Sequence, residues 1–181
     1  MNKAELIGYL ERLDGALRAP AILHIYGSAA FILLDEPDRT SLDVDVAGPY
    51  SEVDEGDLRR AAAEAGLPVN PDEAYAGDHI EWIGPLRLCL QPPVEGKMLT
   101  LWQGSKLRVR TGAPAELIAS KLIRYDETDR SDIQYLHAQG RVSIEAIASA
   151  ADRLPAPFAA DPLVRENLAN LKTDMRIWGA G

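Results

Sequence analysis

Leu6, Ile7, Leu10, Leu13 and Leu17 recur at spacings of three and four, with Glu5, Glu11 and Arg12 between them, which predicts an amphipathic helix over residues 3–17 that stops before Pro20. The pattern then changes period. Residues 21–26 form a short apolar run with Ile22, Leu23 and Ile25, closed by Gly27 and followed by a helix-compatible stretch over 28–34, so a strand, a turn and a helix are expected in succession. Residues 35–39, with Pro37 among acids, read as a loop. Leu42, Val44 and Val46 alternate with Asp43 and Asp45, the period of two of a strand with one apolar face. A charged, alanine-rich helix over 51–66 is ended by Gly66 and Pro68.

Short strands are expected at 79–83, 86–90, 99–102 and 106–109, separated by Gly and Pro, and helices at 114–125, 129–138, 144–154 and 162–178. The expected fold is α/β in the α+β sense, a mixed sheet flanked by helices. Residues 1–111 form its core, and residues 112–181 a C-terminal helical portion packed on that core. There is no internal repeat.

Composition narrows the chemistry. With 28 Asp and Glu against 19 Lys and Arg, the net charge of −9 disfavours a coat for long duplex DNA, so a nucleic-acid partner has to be met at a local basic patch. The single Cys89 cannot staple the chain to itself, and neither a signal peptide nor a membrane-spanning run is found, so the cytoplasm is the expected compartment.

Two features carry candidate chemistry. Gly27 and Ser28 stand where a strand turns into a helix, a place where the backbone can approach an anion closely, though Gly-Ser is also ordinary helix-capping chemistry. Asp43 and Asp45 lie roughly 7 Å apart on one strand face. Like charges so placed call for a cation, a basic partner or water, and Mg²⁺ favours such oxygen sites when substrate phosphates complete them.

Gly27-Ser28, a helix, and then Asp43-x-Asp45 on the next strand resemble the signature of the polymerase-β-type nucleotidyltransferases. Within that superfamily, Arg39-Thr40 and the run Ala115 to Leu122 with Arg130-Ser131-Asp132 are similar to the AbiEii-type toxin-like nucleotidyltransferases. The resemblance covers roughly residues 22–47 and 105–137. It implies a nucleoside triphosphate held at Gly27, Ser28, Arg39 and Thr40, and Mg²⁺ or Mn²⁺ on Asp43 and Asp45. It also implies transfer of a nucleoside monophosphate to an RNA end or a protein hydroxyl, in a toxin–antitoxin or phage-defence setting with a cognate partner protein. Many superfamily members add a third carboxylate from a later strand. Here Glu81 is the candidate; otherwise the paired Asp act alone, or the protein is a non-catalytic, antitoxin-like nucleotide binder.

Lys121 falls inside the apolar stripe of its helix, at about 40° in an arc of about 140° drawn by Leu117, Ile118, Leu122 and Tyr125. Either its stem snorkels to the helix edge, or its ammonium serves the triphosphate or the Asp–metal cluster as a catalytic cation. Asp132 is either a first-turn acid answering the helix dipole or, as the resemblance implies, the family's second-site carboxylate that orients Lys121 or assists deprotonation of the nucleophile. Arg108 and Arg110 alternate with Leu107 and Val109 in a locally basic stretch, as a solvated face or as a seat for a polyanion. His24 and His137 have no metal-ligand spacing around them, and Trp82, Trp102 and Trp178 are expected at core margins.

Overall fold

The computed structural model describes residues 1–140 and 142–179 and divides into two units, Met1–Leu88 with Met98–Thr111, and Cys89–Lys97 with Gly112–Gly181. In the first unit the chain runs through α1 (Lys3–Ala16), β1 (Ala21–Tyr26), α2 (Gly27–Leu33), β2 (Asp43–Ala47), α3 (Glu55–Ala65), β3 (His79–Ile83), β4 (Leu99–Gln103) and β5 (Leu107–Thr111). The five strands make one mixed sheet in the order β3-β2-β1-β5-β4. Strand β1 is antiparallel to β2 and parallel to β5, β2 is parallel to β3, and β4 is antiparallel to β5.

Period-two alternation sorts this sheet into two faces. Leu23 and Ile25, Val44 and Val46, Ile80, and Leu107 and Val109 join Leu6, Leu10, Leu13 and Leu58 from the helices in one apolar core. Trp82 and Trp102 pack at its margin. The opposite face carries His24 and Tyr26, Asp43 and Asp45, His79 and Glu81, and Arg108 and Arg110. Helix α1 is opened by an Asn2–Glu5 capping box, and Asp14 near its other end ties down the β4–β5 hairpin. Burial works to raise the Asp14 carboxyl, but the N–H groups of Leu107 and Lys106, with Ser105, outweigh it and hold it at about 2.

The second unit contains α4 (Pro114–Lys121), α5 (Glu127–Ala138), α6 (Ile144–Ala151) and α7 (Pro162–Trp178). Its interior is made of Leu117, Ile118, Leu122, Ile133, Leu136, Ile147, Val164 and Leu171. Buried Asn167 donates to the carbonyl of Leu122 at 2.8 Å, satisfying a carbonyl that the end of α4 leaves over.

Several expected elements differ at their ends, α6 stopping at Ala151 instead of 154 among them, and three differences have a visible cause. Residues 86–90 form no strand: Leu86 is fully exposed, and Pro85, Pro92 and Pro93, which lack N–H groups, bracket a run that turns instead of pairing. Helix α3 starts at Glu55 because Gly48–Tyr50 makes a 3₁₀ turn, Glu52 bridges to Ile22, and Asp54 accepts from the N–H of Asp57 as the cap. Helix α4 ends at Lys121, four residues early, and Tyr125 takes a φ of 57° as the chain reverses into α5.

His24 is the one buried imidazole on the polar face of the sheet. It is 1% exposed, edge-on to Tyr50, and its Nε2 has no hydrogen-bond partner among the described residues. Burial, with Arg110 adding repulsion, lowers its pKa from 6.5 to about 4. The unfolded chain therefore takes up a proton that the folded chain refuses, and the stability that neutral His24 contributes is complete above pH 6.5 and lost as the pH falls toward about 4. Urea denaturation at a series of pH values should show His24→Leu losing less stability over that window than the unsubstituted protein.

Candidate active site

The Gly-Ser turn and the Asp pair meet in the first unit. Tyr26, the last residue of β1, stands opposite Asp45 in the antiparallel pairing, and the chain turns at Gly27 with φ +63° to enter α2. A side chain at residue 27 would place its Cβ 2.1 Å from Asp45 Oδ2, so the carboxylate occupies space that only glycine leaves open. Asp43, two residues earlier on the same strand face, accepts a hydrogen bond from Ser41 Oγ at 2.7 Å. Both carboxylates are half-buried, with Val44 and Val46 between and beyond them turned into the core.

Ser28 Oγ accepts from Arg39 Nη2 at 2.9 Å, which leaves the Ser28 hydroxyl proton to be donated elsewhere. Arg39 is in turn 3.8 Å from Glu36, on the loop where Asp35 and Asp38 adopt positive φ. Thr40 is exposed beside it. Gly27, Ser28, Arg39, Asp43 and Asp45 are thus linked by direct contact or by one strand register.

The parallel pairing of β2 with β3 sets Glu81 beside Asp45 and His79 beside Asp43 on the same face. Glu81 has Arg87 at 3.8 Å. Among the described residues no three His, Cys, Asp or Glu side chains are gathered closely enough to hold a metal ion by themselves. Two carboxylates that leave positions for substrate oxygens still fit Mg²⁺, which usually binds through one or two carboxylates plus phosphates. Sequence reasoning missed Ser41 and His79. His79 Nδ1 lies 3.0 Å from the Gly77 carbonyl, a pairing in which Nδ1 is the donor. Its alternation with Glu81 was the available signal.

Lys121 and Asp132 belong to the second unit. Lys121 Nζ is 2.5 Å from Asp132 Oδ2 and 3.1 Å from Asp129 Oδ1. Asp129 also receives Arg124 through Nε and Nη2, both at 3.0 Å, and its own N–H is capped by Asp126. Asp132 is fully buried and lies past the first turn of α5, where Glu127 and Asp129 are the acids facing the dipole.

Two outcomes follow from these contacts. Gly27→Ala forces Cβ into the Asp45 carboxylate and a left-handed backbone onto alanine; thermal melting should register destabilisation, and any activity that uses Asp45 should be lost with it. Lys121→Met takes the ammonium away from buried Asp132, while Asp129 keeps Arg124, and should cost on the order of 3 kcal/mol in denaturant unfolding, with part of that recovered when Asp132→Leu is added.

A family model described as "Nucleotidyltransferase of unknown function (DUF6036)" matches residues 5–159. No curated protein and no solved structure shows significant similarity to the chain. No helix among the described residues is long and apolar enough to cross a membrane. The match spans most of the chain and includes the Gly-Ser turn, the Asp pair and the Lys121 helix, and on it the chain belongs to this nucleotidyltransferase family.

Proposed function

We propose that the protein is a metal-dependent nucleotidyltransferase that moves a nucleoside monophosphate from a nucleoside triphosphate to an RNA end or a protein hydroxyl. The observation that carries this reading is the contact of Gly27 with Asp45, by which the fold joins the two halves of the signature at one place. Asp43 and Asp45 would hold Mg²⁺ or Mn²⁺, which when bound supplies Lewis-acid stabilisation of phosphoryl oxygens.

The chain's own groups do the rest. Gly27 lets backbone come close to the phosphates, and the Ser28 hydroxyl, oriented by Arg39, donates to a phosphate oxygen. Thr40 offers a further exposed hydroxyl. An acceptor hydroxyl adds to the α-phosphorus as the bond to the β-phosphate bridging oxygen breaks; pyrophosphate departs, and the acceptor's proton is given up to water. We assign no step to Lys121 or Asp132, whose charges answer one another in the second unit. A toxin–antitoxin or phage-defence setting, with a cognate partner protein, rests on the AbiEii-type resemblance of residues 22–47 and 105–137.

Two like charges on one strand face cost the metal-free protein on the order of 1 kcal/mol. Asp43→Asn with Asp45→Asn should therefore abolish transfer from labelled nucleoside triphosphates to total RNA or cell protein, while melting at the same or a slightly higher temperature. Nucleotide binding without any transfer in the unsubstituted protein would identify a non-catalytic, antitoxin-like binder. Full transfer by the double variant would remove the Asp pair from the mechanism.

A further inference from the structure

Arg108 and Arg110 share the polar sheet face with the Asp pair, and the ladder fixes their place on it. Arg110 is in register with His24 and Arg108 with Ile22, whereas Asp45 is in register with Tyr26. Taking β1 as a ruler, Gly27 and Ser28 lie beyond Asp45 in one direction, and Arg110 and Arg108 lie two and four residues back in the other. Two strand spacings and two residues put the Arg110 and Asp45 α-carbons about 12 Å apart.

Both arginines are half-buried. Arg110 makes no hydrogen bond or ion pair among the described residues, and Arg108 reaches only Gln103 Oε1, at 3.2 Å. Unanswered guanidinium groups are out of character in a chain with nine more acids than bases, since carboxylates are plentiful and partly buried cations gain from pairing. His24, beside Arg110, is held neutral and offers no negative charge. Past Arg108 the face continues into a cleft of about 330 Å³ lined by Ile22, Gln103, Ser105 and Lys106, with Glu52 as the acid in its wall.

In-line displacement places the attacking hydroxyl opposite the departing pyrophosphate. With the pyrophosphate toward Gly27 and Ser28, the acceptor approaches from the side of Arg110 and Arg108. Alternate residues on a strand stand about 7 Å apart, so the two guanidinium groups form a cationic track of the kind that follows a phosphodiester backbone.

We propose that Arg110 and Arg108 bind the backbone phosphates of a single-stranded RNA whose end is the acceptor, which selects an RNA end over a protein hydroxyl. This rests on the nucleotidyltransferase reading for the acceptor's role, but the binding itself can be measured without turnover.

The test compares the full chain with Arg108→Gln/Arg110→Gln and with Arg108→Lys/Arg110→Lys. Fluorescence anisotropy of a short 5′-fluorescein single-stranded RNA reads acceptor binding, calorimetry with Mg²⁺ and a nucleoside triphosphate reads nucleotide binding, and thermal melting checks the fold. The glutamine variant should bind the RNA at least about tenfold more weakly, and its slope of log affinity against log salt should shrink by about 1.4. Nucleotide affinity should hold, and the lysine variant should keep much of the RNA binding. Equal RNA affinity in all three proteins, no RNA binding by the unsubstituted protein, or a loss of nucleotide affinity alone would overturn the proposal. If the double glutamine variant fails to fold, Arg108→Gln alone should lower the salt slope by about half as much, and an unchanged slope would overturn the proposal equally. Arginine-dependent RNA binding without transfer would strike the enzymatic reading and leave the RNA track standing. Transfer to protein with no RNA binding would do the reverse.

Discussion

The carboxylate of Asp45 lies where a side chain at residue 27 would otherwise be. That single close approach ties together three elements of the first unit: the end of β1, the entry into α2 and the polar face of β2. It needs the antiparallel register that sets Tyr26 opposite Asp45, and it needs a left-handed φ at Gly27, so sequence, turn and ladder are each set by the other two. Once Asp45 is placed, the strand's pleat carries Asp43 to the same face, where the Ser41 hydroxyl holds one of its oxygens.

The alternation that builds the core also keeps the acids out of it. Sliding β2 by one residue would turn Val44 and Val46 outward and send Asp43 and Asp45 among Leu23, Ile25 and Ile80. Burying two unpaired carboxylates costs several kcal/mol each, more than the roughly 1 kcal/mol of repulsion they bear side by side on the polar face. The register of β2 is therefore specified from both sides. Valines gain by burial, and aspartates lose by it.

Where one physical signal dominated, the sequence was legible. The leucine stripe of α1, the strands at Ala21–Tyr26 and His79–Ile83, and the alternation of β2 follow from periodicity with little competition. Residues 86–90 have the same apolar content but no N–H groups at the prolines around them, and a ladder needs partners as well as pattern. The start of α3 turned on which of several acids served as the cap, and Asp54 lies inside the acidic run that obscured it. The contacts of Lys121 were only half visible. Helical spacing marks it as buried, but Asp129 and Asp132 come from beyond a reversal at Tyr125 that no helical wheel can follow. The pairing of His79 with Asp43 is a property of sheet register, which one strand's sequence does not contain.

The polar face holds charges of both signs, and its geometry keeps them from satisfying one another. Asp43, Asp45 and Glu81 stand on β2 and β3, Arg108 and Arg110 on β5, and β1 runs between with His24 and Tyr26. Two strand spacings put the Asp pair roughly 10 Å from the arginines and a third puts Glu81 farther, beyond the Debye length of about 8 Å at physiological ionic strength, so attraction across β1 is largely screened where the face meets water. Were His24 charged, it would add a cation at the divide; burial keeps it neutral. The carboxylates therefore gain no cation from across β1, and the arginines gain no anion from there. A negatively charged substrate that brought its own metal would engage both groups at once, through local fields that the net charge of −9 does not reveal.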